Sequence, residues 1–252
     1  MRFASLGSGS EGNGLVVDAD GTCVLLDCGF GLADCVARLA RLGLAPAALA
    51  GIVVTHEHSD HIGGVGRLAR KYDLPVWLTA GTLAMAQDLE GVAIRIIDSH
   101  APFAVDALEI QPFPVPHDAR EPVQFVFGDG QRRLGVLTDA GSSTPHIEAM
   151  LTGVDALVLE CNHDAAMLES GPYPASLKRR VGGRFGHLEN GQAAALLGRV
   201  KHDRLQCVMA AHVSKKNNTR ALAQAALAEV LVCAADEVGV ACQTTGFDWI
   251  RL

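Results

Sequence analysis

Three histidines within six residues constrain this chain more than any other feature. They stand in Thr55-His56-Glu57-His58-Ser59-Asp60-His61-Ile62-Gly63-Gly64, directly after the apolar run Ile52-Val53-Val54. Alternate residues of an extended segment share a face, so His56 and His58 point the same way. A turn into a helix then carries Asp60 and His61 round to a second position nearby. Neutral imidazole and carboxylate are the donors that zinc and related transition metals favour, so one short segment serves two cations. The rival reading, a surface turn without metal, leaves three imidazoles at the end of a buried strand with no charge partner, which is costly. Gly63-Gly64 allow close backbone approach at the start of the helix.

Apolar runs rich in Val, Leu and Ile alternate with Gly-, Pro- and Asp-punctuated turns along all 252 residues. The pattern predicts strands over 14–17, 24–27, 52–55, 76–78, 92–97, 108–115, 123–127, 134–138, 156–160 and 207–211. Helical spacing predicts helices over 32–42, 62–72, 81–89, 191–200 and 219–237. Many strands are apolar on both sides, as strands covered by helices are, so two sheets face to face with helices outside would bury them. No Ser-, Gly- or Pro-rich linker divides the halves, and a single domain over 1–252 is expected.

With 49% hydrophobic and 19% charged residues, most of the chain is ordered. The net charge of −7, from 28 acids and 21 bases, excludes a protein that coats nucleic acid or membrane through its overall field. Lys178, Arg179, Arg180 and Arg184, with Lys215, Lys216 and Arg220, nevertheless gather seven of those 21 bases near His187 and His212. That is what a local phosphate-binding rim requires, and a solvated basic face would look the same. No apolar stretch approaches the roughly 20 residues that cross a bilayer. Met1 to Leu6 runs into a glycine-rich turn instead of an apolar signal core, so a cytoplasmic location is expected. The seven cysteines form no C-x-x-C pair and are expected as reduced, packed thiols.

The histidine cluster resembles the H-x-H-x-D-H signature of the metallo-β-lactamase fold, and further motifs follow in that superfamily's order. They are Asp27 in Leu25-Leu26-Asp27-Cys28-Gly29, His117 in Pro116-His117-Asp118, Asp139 in Leu137-Thr138-Asp139-Ala140-Gly141 and His212 in Ala210-Ala211-His212-Val213-Ser214. Taken alone, Asp139 would equally be a turn aspartate and His117 a loop histidine. The resemblance implies an α/β, four-layer αβ/βα sandwich with two mixed sheets. It puts His56, His58 and His117 on a first metal, Asp60, His61 and His212 on a second, Asp139 between them, and Asp27 behind the site as an orienting residue. Two cations about 3.5–4 Å apart would acidify a bridging water and clamp the oxygens of a scissile ester. Mixed His and Asp donors accept Zn, Mn or Fe, so the metals stay open.

Leu159-Glu160-Cys161-Asn162-His163-Asp164 and Gly186-His187-Leu188 are similar to segments of tRNase Z-type phosphodiesterases. That match implies a general acid, His187, supported by Glu160, with Asp60 holding metal and orienting the nucleophile. Closer still is the YycJ/WalJ-like subgroup, regarded as DNA exonucleases, on Ser5-Leu6-Gly7-Ser8-Gly9-Ser10-Glu11-Gly12-Asn13, Gly171-Pro172-Tyr173-Pro174, Leu177-Lys178-Arg179-Arg180 and His212-Val213-Ser214-Lys215-Lys216-Asn217-Asn218. Ser8, Ser10, Asn13, Lys178, Arg179, Lys215 and Asn217 are the candidate phosphate or nucleic-acid contacts; the glycine-rich turn would equally serve as a plain hairpin. Tyr173 is the better candidate for base stacking, while Trp77 reads as core. The implied function is a dinuclear metal-dependent phosphodiesterase, a 5′-to-3′ DNA exonuclease. Hydrolysis of a small thioester, lactone or cyclic phosphodiester, an RNA-processing nuclease and a metal-stabilised scaffold are the alternatives. His100, His146 and His202 read as structural, and His163 as a further site candidate.

Overall fold

Apolar runs too short for helices pair laterally into two seven-stranded sheets in the computed structural model, which describes residues 1–252. The first sheet holds β1 (Arg2–Gly7), β2 (Gly14–Ala19), β3 (Thr22–Leu26), β4 (Gly51–Val53), β5 (Val76–Thr79), β6 (Ile94–Ile97) and, from the chain's end, β14 (Phe247–Arg251), in the order β14-β1-β2-β3-β4-β5-β6. The second holds β7 (Phe103–Val105), β8 (Leu108–Pro114), β9 (Val123–Gly128), β10 (Arg133–Leu137), β11 (Ala156–Glu160), β12 (Cys207–Ala211) and β13 (Gly239–Val240), in the order β13-β12-β11-β10-β9-β8-β7. Each sheet is antiparallel through four strands and parallel through the rest, so the two repeat one pattern.

Helices cover both outer faces. On the first sheet lie α1 (Leu32–Arg41), burying Cys35 and Leu39, and α3 (Val65–Tyr72), burying Val65, Leu68 and Ala69. On the second lie α5 (Pro145–Leu151), α8 (Asn190–Val200) and α9 (Arg220–Leu231), whose Ile147, Leu196, Leu197 and Leu227 join one core. Between the sheets, Phe3, Val17, Val24 and Val53 meet Phe125, Phe127, Val136 and Val158. Three cores of 23, 21 and 21 buried residues therefore separate four layers, the α/β sandwich expected from apolar strands.

Several boundaries differ from the sequence pattern, each for a physical reason. The helix expected over 62–72 is two pieces, α2 (Ser59–Ile62) and α3, because Gly63-Gly64 break it. A β-carbon on Gly64 would collide with the Phe30 carbonyl, and the Gly64 N–H bonds the Cys28 carbonyl at 2.7 Å, so the break packs directly on the chain after β3. The expected 219–237 helix stops at Leu231, where Val232 takes a left-handed φ of 57°. Short helices α4 (Ala80–Met85), α6 (Ala165–Ser170) and α7 (Ala175–Val181) complete the chain. No helix is long and apolar enough to cross a membrane. Cys23, Cys28, Cys35 and Cys161 are buried, while Cys207, Cys233 and Cys242 are half-buried.

Candidate metal centre

Asp27, His56, His117, Asp139, Glu160 and His212 all lie within a few residues of the carboxyl ends of β3, β4, β8, β10, β11 and β12. Parallel strands end in register, so their terminal side chains converge on one edge of the sandwich, where open α/β sheets gather ligands. Asp27, Asp139 and His212 each take a left-handed backbone, with φ of 60°, 52° and 52°. That conformation ends the strand at once and turns the side chain across the edge; Asp and His are among the residues that tolerate it.

Two triads of donors result. In the first, His58 Nδ1 lies 3.0 Å from His56 Nε2 and 3.2 Å from His117 Nε2. In the second, Asp60 Oδ2 lies 3.6 Å from His61 Nε2 and 3.5 Å from His212 Nε2. Asp139 stands between them, Oδ2 at 3.1 Å from His61 Nε2 and Oδ1 at 3.5 Å from His212 Nε2 and 3.9 Å from His117 Nε2. Groups of three such donors whose ligand atoms lie within 4.8 Å of one another could each hold an ion.

The surrounding bonds fix which ring nitrogen faces inward. The His61 Nδ1–H donates to Asp27 Oδ2 at 2.7 Å, and the His56 Nδ1–H to Thr55 Oγ1 at 2.9 Å. Thr55 in turn donates its N–H and hydroxyl to Asp27 at 2.8 and 2.9 Å. The His117 Nδ1–H donates to the Gly186 carbonyl at 3.0 Å. Asn13 Nδ2 lies 3.1 Å from His61 Nε2, while Ser8 Oγ accepts the His212 N–H at 2.9 Å. Ser8 and Asn13 therefore spend their side chains on the site's own frame, while Ser10 is exposed and lines the cleft.

Glu160, fully buried at the end of β11, accepts the backbone N–H groups of Ala140 and Leu188 on Oε2 at 3.1 and 3.0 Å. Its Oε1 takes the His187 Nδ1–H at 2.8 Å and lies 3.5 Å from His212 Nδ1. Burial works to lower the pKa of His187, but the Glu160 charge and hydrogen bond and the Asp139 charge outweigh it and raise it to about 9. The same contest raises His61 well above its ordinary value through Asp139 and Asp27, and raises His212 through Asp139 and Asp60. Burial carries Asp139 upward, and His212 and His61 pull it well below the carboxylate range. His56 and His117 go the other way, lowered mainly by burial, so both remain neutral donors.

Of these groups, His58, Asp60, Asp139, His187 and His212 line a cleft of about 310 Å³, with Asp118, Asn162, Tyr173, Arg180, Ser214 and Asn217. Lys178 and Arg179 line a different cleft, with His163, on the far side of α7. Beside the cleft-lining Ser10 and Ser214, Glu11 is paired with Lys215 at 2.5 Å, which offsets the charge of an acid that would repel a phosphate, although both side chains stay exposed. Asn217 is fully buried with neither amide atom partnered. The sequence pattern does not place Asn162 and Asp118 in the site, and it puts Arg180 only in the basic rim; Asn162 donates to the His212 carbonyl at 3.0 Å, a contact across 50 residues with no local signal.

Residues 22–208 match the beta-lactamase superfamily domain. Over 237 residues the chain is 38% identical to the exodeoxyribonuclease YycJ of Bacillus anthracis, covering 92% of this chain and 89% of that protein. It is 31% identical over 246 residues to the exodeoxyribonuclease WalJ of Streptococcus pneumoniae, covering 95% and 91%. The metallo-beta-lactamase fold protein YhfI of Bacillus subtilis superposes with a TM-score of 0.78 at 18% identity over 99% of this chain and 98% of that one, which concerns the fold alone. The chain belongs to the beta-lactamase superfamily, as a metallo-β-lactamase-fold, metal-dependent hydrolase of the YycJ/WalJ-like subgroup.

Proposed function

We propose that the chain is a dinuclear metal-dependent phosphodiesterase that degrades DNA from the 5′ end. The observation that carries it is the Glu160–His187 pair: a fully buried carboxylate holding, at 2.8 Å, an imidazole that lines the same cleft as Asp60, Asp139 and His212. A phosphodiester leaving group departs as an alkoxide and needs such a proton donor. Both relatives are named as exodeoxyribonucleases, which supports DNA as the polymer.

The donors fit divalent cations. Asp139 Oδ2 and His212 Nε2 are buried with no hydrogen-bond partner. His56 and His117 have committed their Nδ1–H groups outward, so both Nε2 lone pairs face His58 Nδ1 across 3.0 and 3.2 Å. Buried lone pairs facing one another are costly unless a cation or proton lies between them. His56, His58 and His117 would hold one ion, Asp60, His61 and His212 the other, and Asp139 both. When bound, the pair would supply Lewis acidity: an acidified water as nucleophile and neutralisation of charge gathering on the ester.

The remaining work falls to the chain. Asp60 orients the attacking water, and Asp27 and Thr55 fix the ring planes of His61 and His56. His187 gives its Nε2 proton to the leaving oxygen, and Glu160 steadies the tautomer. Ser10, Lys215 and Asn217 stand where the substrate backbone enters; Lys178 and Arg179 would meet it only beyond α7. Asp27→Asn keeps the size and tolerates the left-handed backbone. It is expected to weaken the affinity of the second ion about 10–100-fold, measured by competition with a chromophoric chelator; unaltered affinity would remove Asp27 from the site.

A panel of 5′-phosphorylated duplex, 3′-phosphorylated duplex, single strand and RNA, each with Zn²⁺, Mn²⁺ or Fe²⁺, tests the function. Fastest loss from the 5′-phosphorylated duplex is expected. Turnover of a small thioester or lactone with no nucleic acid degraded would overturn it.

A further inference from the structure

One wall of the cleft is α7, a helix with no buried residue. Successive residues on a helix point about 100° apart, so its basic run divides. Lys178 and Arg179 line the outer cleft, and Arg180 lines the metal cleft. The Arg180 Nε–H donates to Asp118 Oδ2 at 2.5 Å, and the two side chains are 60% and 31% exposed. The other carboxylate oxygen, Asp118 Oδ1, lies 3.5 Å from His117 Nε2 and 3.9 Å from His58 Nε2. A planar, two-oxygen anion thus sits between a guanidinium and the first donor triad. That is the place an ester phosphate would approach if this triad held an ion.

Two features make this pair exchangeable. An ion pair this exposed contributes little to stability, so opening it costs little. A guanidinium also bonds phosphate through the same forked geometry it offers a carboxylate, and phosphate brings at least an equal charge. The other ion pair at the mouth, Lys215 with Glu11, presents a point charge at the rim and has no such contact with the triad.

We propose that Arg180 clamps a substrate phosphate and that Asp118 is a stand-in anion, displaced when the phosphate enters. Asp118 is then a specificity-determining residue: every anion must outcompete it for Arg180, which disfavours weakly charged small esters and favours phosphate groups of a polymer. The assignment rests on the phosphodiesterase reading for the chemistry after binding, but the exchange itself needs no turnover.

The test compares Arg180→Gln, Asp118→Asn and the double variant in the full, Mn²⁺-loaded chain, each with its melting temperature checked. Calorimetry measures inorganic phosphate binding, and kinetics on 5′-phosphorylated duplex are followed as salt rises. Arg180→Gln is expected to raise KM about tenfold or more while kcat moves far less. The slope of log(kcat/KM) against log[salt] should flatten by about 0.9, the contribution of one phosphate contact. Asp118→Asn is expected to tighten phosphate about tenfold, and the gain should vanish in the double variant. A gain that persists without Arg180, or an unaltered KM and salt slope in Arg180→Gln, overturns the clamp. Phosphate binding that depends on both residues in a chain that degrades no nucleic acid would keep the clamp and sink the nuclease.

Discussion

His187→Ala is expected to slow DNA degradation by about 10²–10⁴-fold while metal content stays at the wild-type level. His187 stands in a further donor group with Asp139, Glu160 and His212, but neither proposed ion is assigned to it: its Nδ1–H is given to Glu160, and it stacks on His212 with ring centroids 5.3 Å apart. Removing it leaves every proposed ligand in place and takes away only the proton for the departing oxygen. The pH profile separates this role from a packing role. Glu160 and Asp139 outweigh burial and hold the His187 pKa at about 9, so the acid form dominates at neutral pH. Turnover should therefore fall as pH rises through that pKa, and bound cations, which repel an imidazolium, place the alkaline limb below about 9. The limb should vanish in His187→Ala, and a substrate with an acidic nitrophenolate leaving group should be slowed much less. Equal losses on both substrates, or an unmoved alkaline limb, would leave His187 without its proton-donating role.

Chelation should produce the second large effect, in stability as well as rate. Without cations the buried carboxylates draw protons onto His61 and His212, whose pKa values lie above the ordinary imidazole range. Binding must release these protons, so affinity falls as pH drops. A ligand that binds only the folded chain at about a thousandfold over its Kd stabilises it by about 4 kcal/mol. For a chain of this length that corresponds to about 8–16 °C in Tm. Exhaustive treatment with dipicolinate should lower Tm by that order and abolish turnover, and Mn²⁺ or Zn²⁺ should restore both. A chelated chain with unaltered Tm and activity would be incompatible with metal at these donors.

The parts of the fold that are legible in the sequence are those in which neighbours along the chain are also neighbours in space. His56, His58, Asp60 and His61 lie in one turn, and Asp139 and His212 each follow an apolar strand, so their convergence follows from strand pairing. The pattern does not mark β1, because Arg2 and Ser5 interrupt its apolar run; in the fold Arg2 pairs with Asp18 at 2.6 Å and its guanidinium lies over Trp249. Helices α5 and α6 are short, and their start signals are caps: Thr144 before Pro145, and Asp164 accepting the Met167 N–H. The least legible contacts join residues far apart in the chain. Asn190 and Asn218, buried and 28 residues apart, exchange amide hydrogen bonds at 3.0 and 2.8 Å. Arg180 meets Asp118 across 62 residues, and a run of three bases does not reveal which one will face the cleft.

The two sheets repeat one pattern, and each donor triad draws on both: His56 and His58 from the first meet His117 from the second, and Asp60 and His61 meet His212. His212 is the last of these residues to leave the ribosome, after 211 of the 252 residues. No shorter nascent chain contains the complete donor set, and Glu160 and His187 emerge long before the second triad can close. If the chain cuts nucleic acid, its order of synthesis therefore works as a safeguard. A truncated or stalled product that ends before His212 has only Asp60 and His61 of the second triad, so it is expected to lack the activity of the finished chain.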